Sequence, residues 1–483
     1  MVVPPVDHEC SLTSVVVEMS NEIAKLRHEL AQLKKAQFGP KSERTKMPRV
    51  NVGEPPTPEQ QLARRRANAH DKAQIQTVRT EHKVPAEQRV CPHCGNHKLK
   101  PIGKGRSSVV FEFVPARFVR HEHVQEVLRC ECGDYVVTAP GAPKVVEKGR
   151  YGASFLAHLA VAKCADHIPI YRLEKDFGRQ GFPLARSTMN ELLHRASEMT
   201  KPIWMRVLNK IRVRHIVLAD ETRMRMQDDG TGKPKTGFVW TFVGLDDDGG
   251  QDVAFIYAAD RSGETPRRIL GDTDGYLLVD AYSGYNAVAD VSSRKRAACH
   301  AHLRRYFHEA LSTAPVAQEA IDLILRLYRI EHEAEKMGIA GTAAHLALRK
   351  KKSASARGKL HAWLTRQQGR HPPKSPIGAA INYGLNHWDE LGRFLEDARI
   401  PLDNNASERS LRRVALGRKN YLFVGDVEAG GSIAGLYTLI ATCEARGINP
   451  FAYLVDVIAR VQDHPAQQLD ELLPGAWAQA RAA

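Results

Sequence analysis

Ile216–Thr222 reads IVLADET, a short apolar run that stops abruptly at Asp220 and Glu221. Four or more apolar residues bounded by polar ones predict a buried strand. A carboxylate at the C-terminal end of such a strand lies at the rim of a sheet, where sites are commonly built. Two later stretches answer it. Tyr276–Asp280 (YLLVD) is a second apolar run ending in an acid, and Leu402–Arg413 (LDNNASERSLRR) opens a helix that carries Glu408.

The surrounding pattern orders these pieces. Arg212–Ala219 is expected as a first strand, with Gly237–Leu245 and Asp252–Ala258 as the second and third, joined by a turn-rich DDDGG. Glu264–Leu270 is expected as a short helix and Tyr276–Val279 as a fourth strand. Three antiparallel strands, a helix and a parallel strand is the order of a ribonuclease H-like core. In it the ends of the first and fourth strands are neighbours, so Asp220 and Asp280 are expected to face each other. Ala297–Cys299 is expected as a short fifth strand, followed by a helix over His300–Leu311 that bears His302, Arg304 and Arg305. Residues 315–398 read as mostly helical, interrupted by a basic loop at Arg349–Lys359 and resuming at Ile377–Leu395. Asn404 or Asn405 suits an N-cap for the helix of Glu408, and helices are expected over Ser432–Ala445 and Pro450–Gln462.

Upstream, Leu12, Val16, Met19, Ile23, Leu26, Leu30 and Leu33 step alternately by four and three, a heptad seam that predicts self-association. Gly39-Pro40 stops that helix, and a Pro-, Lys- and Arg-rich linker follows. CPHCG at Cys91–Gly95 and CECG at Cys130–Gly133 enclose alternating, strand-like sequence. Cys91, Cys94, Cys130 and Cys132 thus supply four thiolates suited to structural zinc in a zinc ribbon-like domain, although the second pair is tighter than C-x-x-C. Tyr171–Gln180, the turn Gly181-Phe182-Pro183 and a helix from Thr188 resemble a helix-turn-helix. Thr188 and Glu191 would form its capping box, and Arg186, Asn190, His194 and Arg195 would lie on its exposed surface.

The whole chain is therefore expected to be multidomain α+β. Its predicted parts are a coiled coil (12–38), a basic linker (39–84), a zinc-binding domain (85–145) and a helical DNA-binding segment (150–205). A ribonuclease H-like α/β catalytic core (210–312 and 401–430) follows, with a helical insertion (313–400) and a helical C-terminus (431–483). Its 483 residues carry a net charge of +15, which favours a polyanionic partner. No apolar run approaches the roughly 18 residues that cross a bilayer. The N-terminus lacks the basic and apolar regions of a secretory signal, and the paired cysteines suit a reducing compartment. No membrane partner and a cytoplasmic location, at the bacterial nucleoid, are expected.

Asp220, Asp280 and Glu408 are hard oxygen donors of the kind that hold two Mg²⁺ or Mn²⁺ ions for phosphodiester chemistry. Asp220 would bridge the pair, Asp280 and Glu408 holding one ion each. His302, Arg304, Arg305, Arg412, Arg413, Arg418 and Lys419 would hold phosphates. Asp403 and Glu221 compete for these ligand roles on spacing alone, and Cys299 reads as a packed small residue.

Several stretches together resemble the insertion sequence 66 family of transposases over nearly the whole chain. They are FGPKSER (Phe38–Arg44), CPHCG, ADHIPIYR (Ala165–Arg172), ADET (Ala219–Thr222), VDAYSGY (Val279–Tyr285), CHAHLRRYF (Cys299–Phe307), LDNNASERSLRRVALGRKNYLF (Leu402–Phe423) and LDELLPGAW (Leu469–Trp477). The resemblance implies a DDE-type transposase that binds terminal inverted repeats and target DNA. Its acids map onto Asp220, Asp280 and Glu408. Cys299 and His302 match a C-x-x-H signature that follows the second acid in several such families. The resemblance also implies accessory proteins encoded by the same element. Tyr421 stands where tryptophan is common. A non-catalytic DNA-binding regulator and a ribonuclease H-like nuclease without joining activity are the alternatives.

Overall fold

The computed structural model describes residues 149–227, 233–246 and 250–482 continuously, with 118–129, 136–139, 145 and isolated helical positions nearer the N-terminus. The chain falls into two compact units, 34–117 and the remainder, and the account that follows concerns the second. The four paired cysteines, most of the linker and most of the heptad seam lie outside the described residues. Within the linker, Glu59, Leu62 and Arg66 are helical and exposed, where the composition predicts a flexible tether. Met19, Glu22, Ile23, Leu26 and Glu29 are helical, and the seam residues Met19 and Leu26 are exposed.

A pair of antiparallel strands comes first, β1 (Val127–Arg129) against β2 (Val136–Thr138). Three helices follow: α1 (Ala153–Cys164), α2 (Ile170–Arg179) and α3 (Arg186–Arg212). Next come β3 (Ile216–Met226), β4 (Lys235–Leu245), β5 (Gln251–Ala258), α4 (Glu264–Leu270), β6 (Asp274–Val279), the single turn α5 (Asn286–Ala289), β7 (Ser293–Ala298) and α6 (His300–Ala310). Four further helices follow: α7 (Ala317–Lys336), α8 (Ala343–Leu348), α9 (Ala354–Gln368) and α10 (Pro376–Asn386). The chain closes with α11 (Asn405–Tyr421), β8 (Phe423–Val424), α12 (Val427–Ala445), α13 (Pro450–Arg460) and α14 (Pro474–Ala482).

The main sheet is mixed, in the order β5-β4-β3-β6-β7, with β8 added to the far end of β3. β3, β4 and β5 are antiparallel neighbours, whereas β6 and β7 run parallel to β3. Gly275, at φ 105°, starts β6 so close to His215 that any Cβ would meet the His215 carbonyl oxygen at 2.2 Å. The other edge is covered. The hydroxyls of Thr438 and Thr442 on α12 accept the N–H groups of Phe255 (2.9 Å) and Val253 (3.0 Å) on β5, which blunts an edge that would otherwise invite pairing. α3 and α12 pack together over this side of the sheet and share one apolar core with it. α6, α7, α9 and α10 build a second core around Leu303, Phe307 and Trp363.

Several boundaries differ from expectation for identifiable reasons. The first strand does not begin at Arg212 or stop at Ala219: residues 186–212 form one helix, and β3 runs on to Met226 because β4 still pairs with it after β6 has ended. α3 starts at Arg186 behind Ala185, with no side-chain cap, so the Thr188–Glu191 capping box does not form. The expected basic loop at Arg349–Lys359 is instead a π-helical turn (Arg349–Ser353) leading into α9. Arg349 is buried there, paired with Glu331 at 2.5 Å and donating to the carbonyls of Phe394 and Asp397, so its charge is satisfied inside the fold. The helix expected over Ile377–Leu395 ends at Asn386 and is followed by a 3₁₀ turn, Glu390–Leu395.

Candidate active site

Asp220 sits where the sheet forks. Ile216, Val217 and Leu218 pair with Tyr276, Leu277 and Leu278, and carrying the same offset onward sets Asp280 beside Asp220. The parallel pairing ends before this point, which opens a gap between the two acids, while on its other side Asp220 stays paired to Thr241 of β4. The carboxylate of Asp280 accepts the N–H of Tyr282 (2.8 Å), and its carbonyl accepts from Arg296 of β7 (2.6 Å).

Glu408, in the first turn of α11, is brought to the same place by backbone stapling. The backbone and ring of His300 both engage the Leu402 carbonyl, at 2.9 and 3.1 Å. The Asn404 N–H donates to Cys299 Sγ (3.2 Å), and the Asn404 side chain donates to the Ala219 carbonyl (2.8 Å), one residue before Asp220. Asn404 is the N-cap residue by position, yet its side chain does not cap the helix; it ties α11 to β3 instead. Burial pushes the Cys299 thiol up to about 12, so it stays protonated.

The electrostatics mark the cluster as unsatisfied. Asp220 is pushed up to about 7, first by burial and then by the carboxylate of Glu221, with Asp280 and Glu408 adding to the repulsion. Glu408 Oε1 is buried without a hydrogen-bond partner, 3.7 Å from His302 Nε2, and Arg305 reaches Glu408 Oε2 at 3.5 Å. Ligand atoms of Cys299, His302 and Glu408 lie within 4.8 Å of one another, but the protonated thiol already accepts from Asn404 and is a poor donor to a metal. Glu221 is committed elsewhere: Arg261 and Tyr285 hold its two oxygens, at 2.5 and 2.6 Å. Arg261 also lies over the Tyr282 ring, 3.9 Å from its centroid, so Glu221 braces the loop that carries Asp280.

The other basic candidates are distributed unevenly. Arg412 and Lys419 are exposed on α11, and Arg304 is half-buried on α6. Arg418 crosses to β3, where it donates to Thr222 Oγ1 (2.8 Å) and to the Arg223 carbonyl (2.7 Å). Arg413 is turned inward, onto Glu444 (2.5 Å) and the Cys164 carbonyl (3.4 Å). Arg186 and Arg195 are exposed but paired with Glu174 and Glu191. Sequence reasoning passed over Arg261, Tyr285, Arg296 and His300, and took Asn404 for a helix cap only, because their roles depend on partners far away in the chain. The paired tyrosines of AYSGY were the nearest available signal.

A family model described as "Transposase IS66 family" matches residues 148–432, which span all three acids. The chain belongs to the IS66 transposase family. The IS66 C-terminal element matches residues 438–474, and the zinc-finger binding domain of transposase IS66 matches residues 88–133, which include all four paired cysteines and support structural zinc. Among curated relatives, the uncharacterized protein y4hP of Sinorhizobium fredii (strain NBRC 101917 / NGR234) is 32% identical, the match covering 84% of this chain and 76% of that protein. The uncharacterized protein y4jD of the same strain is also 32% identical, over 82% of this chain and 79% of its own length. Membership of the IS66 transposase family makes this a nucleic-acid-processing enzyme. No helix among its described residues is long and apolar enough to cross a membrane.

Proposed function

We propose that the chain is a DDE transposase that cleaves the ends of a mobile element and joins them to target DNA. The observation that carries this reading is the convergence of Asp220, Asp280 and Glu408 on one half-buried carboxylate cluster whose charges repel. The sheet order, with three antiparallel strands followed by two parallel ones, supports a ribonuclease H-like core.

The donor set fits hard divalent cations. All three acids offer oxygen ligands, Glu408 Oε1 lacks a partner, and the repulsion around Asp220 is what a bound cation would relieve. Asp220, Asp280 and Glu408 would hold Mg²⁺ or Mn²⁺, two ions in our reading, which when bound activate the attacking oxygen and neutralise charge on the phosphate. In the first step a water oxygen attacks phosphorus at the element end, and the leaving bond frees a 3′-hydroxyl. In the second, that hydroxyl attacks a target phosphodiester, forming a new P–O bond as the target's own 3′-oxygen departs. His302 and Arg305, beside Glu408, steady the scissile phosphate. Cys299, His300 and Asn404 hold α11 so that Glu408 cannot drift from Asp220. Cys91, Cys94, Cys130 and Cys132 would bind a structural zinc. DNA, a second copy of the chain and companion proteins of the element are the partners in this reading, working in the cytoplasm at the nucleoid.

A strand-transfer assay with labelled element ends, a target plasmid and Mg²⁺ tests it. Joined products are expected from the wild type, with a loss of at least about a hundredfold in Glu408→Gln, the scale of removing one well-placed charge-stabilising group. Equal joining by the two proteins would sink the reading.

A further inference from the structure

The end of α11 carries an exposed apolar step that the acid site does not use. Ser407, Leu411, Val414 and Gly417 face the core, and the opposite face exposes Arg409, Arg412, Leu416 and Lys419 at helical spacing. Past the helix end, Leu422 is 64% and Phe423 40% exposed. Leu422 adopts φ 65°, a left-handed conformation that a leucine takes only when its surroundings impose it. Both sides impose it here. The Tyr421 hydroxyl bonds the buried Tyr437 hydroxyl at 2.5 Å, while β8 pairs Phe423 with Arg225 and Val424 with Met226. The result is a rigidly presented Leu–Phe step.

Cations outnumber acids around it, Asp426 and Glu428 being exposed just past the step. Arg223 and Arg225 are exposed on the same face of β3, and paired register sets Phe423 on the face of Arg225. No carboxylate partner is recorded among the described residues for Arg223, Arg225, Arg409, Arg412 or Lys419. Cations on two sides of an apolar step, along the outer face of α11 and on the Arg225 side of β3, match a strand of nucleic acid that passes over the step, with phosphates on the cations and a base against the apolar surface. A second copy of this chain is disfavoured, because a self-complementary contact would set these cations against each other.

We propose that Leu422 and Phe423 form a wedge that seats against an unstacked base of the DNA end whose scissile phosphate lies at the acid cluster. This rests on the transposase reading and adds a base contact at a fixed distance. From Glu408 to Leu422 the helix rises by about 21 Å at 1.5 Å per residue. From Asp220 to Arg225 the strand rises by about 17 Å at 3.3 Å per residue. At 3.4 Å per nucleotide both lengths correspond to about five or six nucleotides. Apolar side chains wedged at a base step unstack it.

The test is a scan of 2-aminopurine through a duplex carrying the inverted repeat that flanks the coding sequence, placed at about three to nine nucleotides from the cleaved phosphate. The wild-type protein should raise fluorescence several-fold at one position, five or six nucleotides in. Phe423→Ala should abolish the rise while still shifting the duplex in a gel, and Phe423→Trp should keep it. A bound duplex with flat fluorescence throughout, or an undiminished rise in Phe423→Ala, overturns the wedge and leaves the transposase reading standing. A change in the mass of Phe423→Ala without DNA would overturn it in favour of a protein interface. Failure of the wild type to bind the duplex would take the reading and the wedge down together.

Discussion

Lys163 shows how much a single burial can set at the residue scale. It is buried, with its ammonium 3.4 Å from the centroid of the Tyr421 ring, and desolvation lowers its pKa to about 8. In the unfolded chain the same group titrates near 10.5, so the unfolded state binds more protons between those values. Stability should therefore rise as pH climbs from about 8 to about 10.5, and the cost is fully present at neutral pH. Lys163→Met removes that cost, while losing a cation–π contact of about 1 kcal/mol. A net gain of about 2 kcal/mol at pH 7, and a flatter stability profile above pH 8, are expected from denaturant unfolding across pH. A variant no more stable than the wild type would mean that the ring and local water already solvate the charge.

At the scale of elements, the question is what holds α11 against β3. Helix propensity fixes α11 as a helix but says nothing of where its first turn lies. Asn404 decides that, because it is fully buried and links Cys299 on one side to Ala219 on the other. Asn404→Ala leaves the Ala219 carbonyl without its donor and should cost about 1–3 kcal/mol. Activity should fall further than stability accounts for, since Glu408 hangs on the same turn. Thermal melts and strand transfer measured on one preparation would separate the two effects. Joining at the wild-type rate in a destabilised Asn404→Ala would show that α11 is positioned by its apolar face alone.

On the scale of the whole molecule, two of the three described residues of the N-terminal heptad seam are exposed, Met19 at 57% and Leu26 at 59%, while Ile23 is half-buried. Such a stripe on a helix is stabilised by a partner helix. Removing residues 1–38 should lower the oligomeric mass measured by light scattering while leaving the thermal melt of the core in place. An unchanged mass would locate self-association elsewhere. The same scale shows why α1–α3 look separable in sequence and are not isolated in space: α3 and α12, far apart in the chain, bury one continuous core with the sheet.

Local pattern carried most of the framework. Apolar runs of strand length between turn residues located β4, β5, α4 and β6 nearly to the residue, because each is delimited by its own glycines, prolines and charges. Asp280 and Glu408 were legible for the same reason, one closing a strand and one opening a helix. The end of β3 was not, since nothing inside the sequence Asp220–Met226 says that β4 keeps pairing after β6 has stopped. Nor was the burial of Arg349, whose charge reads as a loop until Glu331 is placed beside it. By itself the sequence determined which segments become strands and helices and which acids stand at their ends, because those follow from neighbours in the chain. Only the tertiary structure decided which carboxylate is left without a hydrogen-bond partner and which is braced, and which cations face solvent, because those depend on partners brought together across the fold.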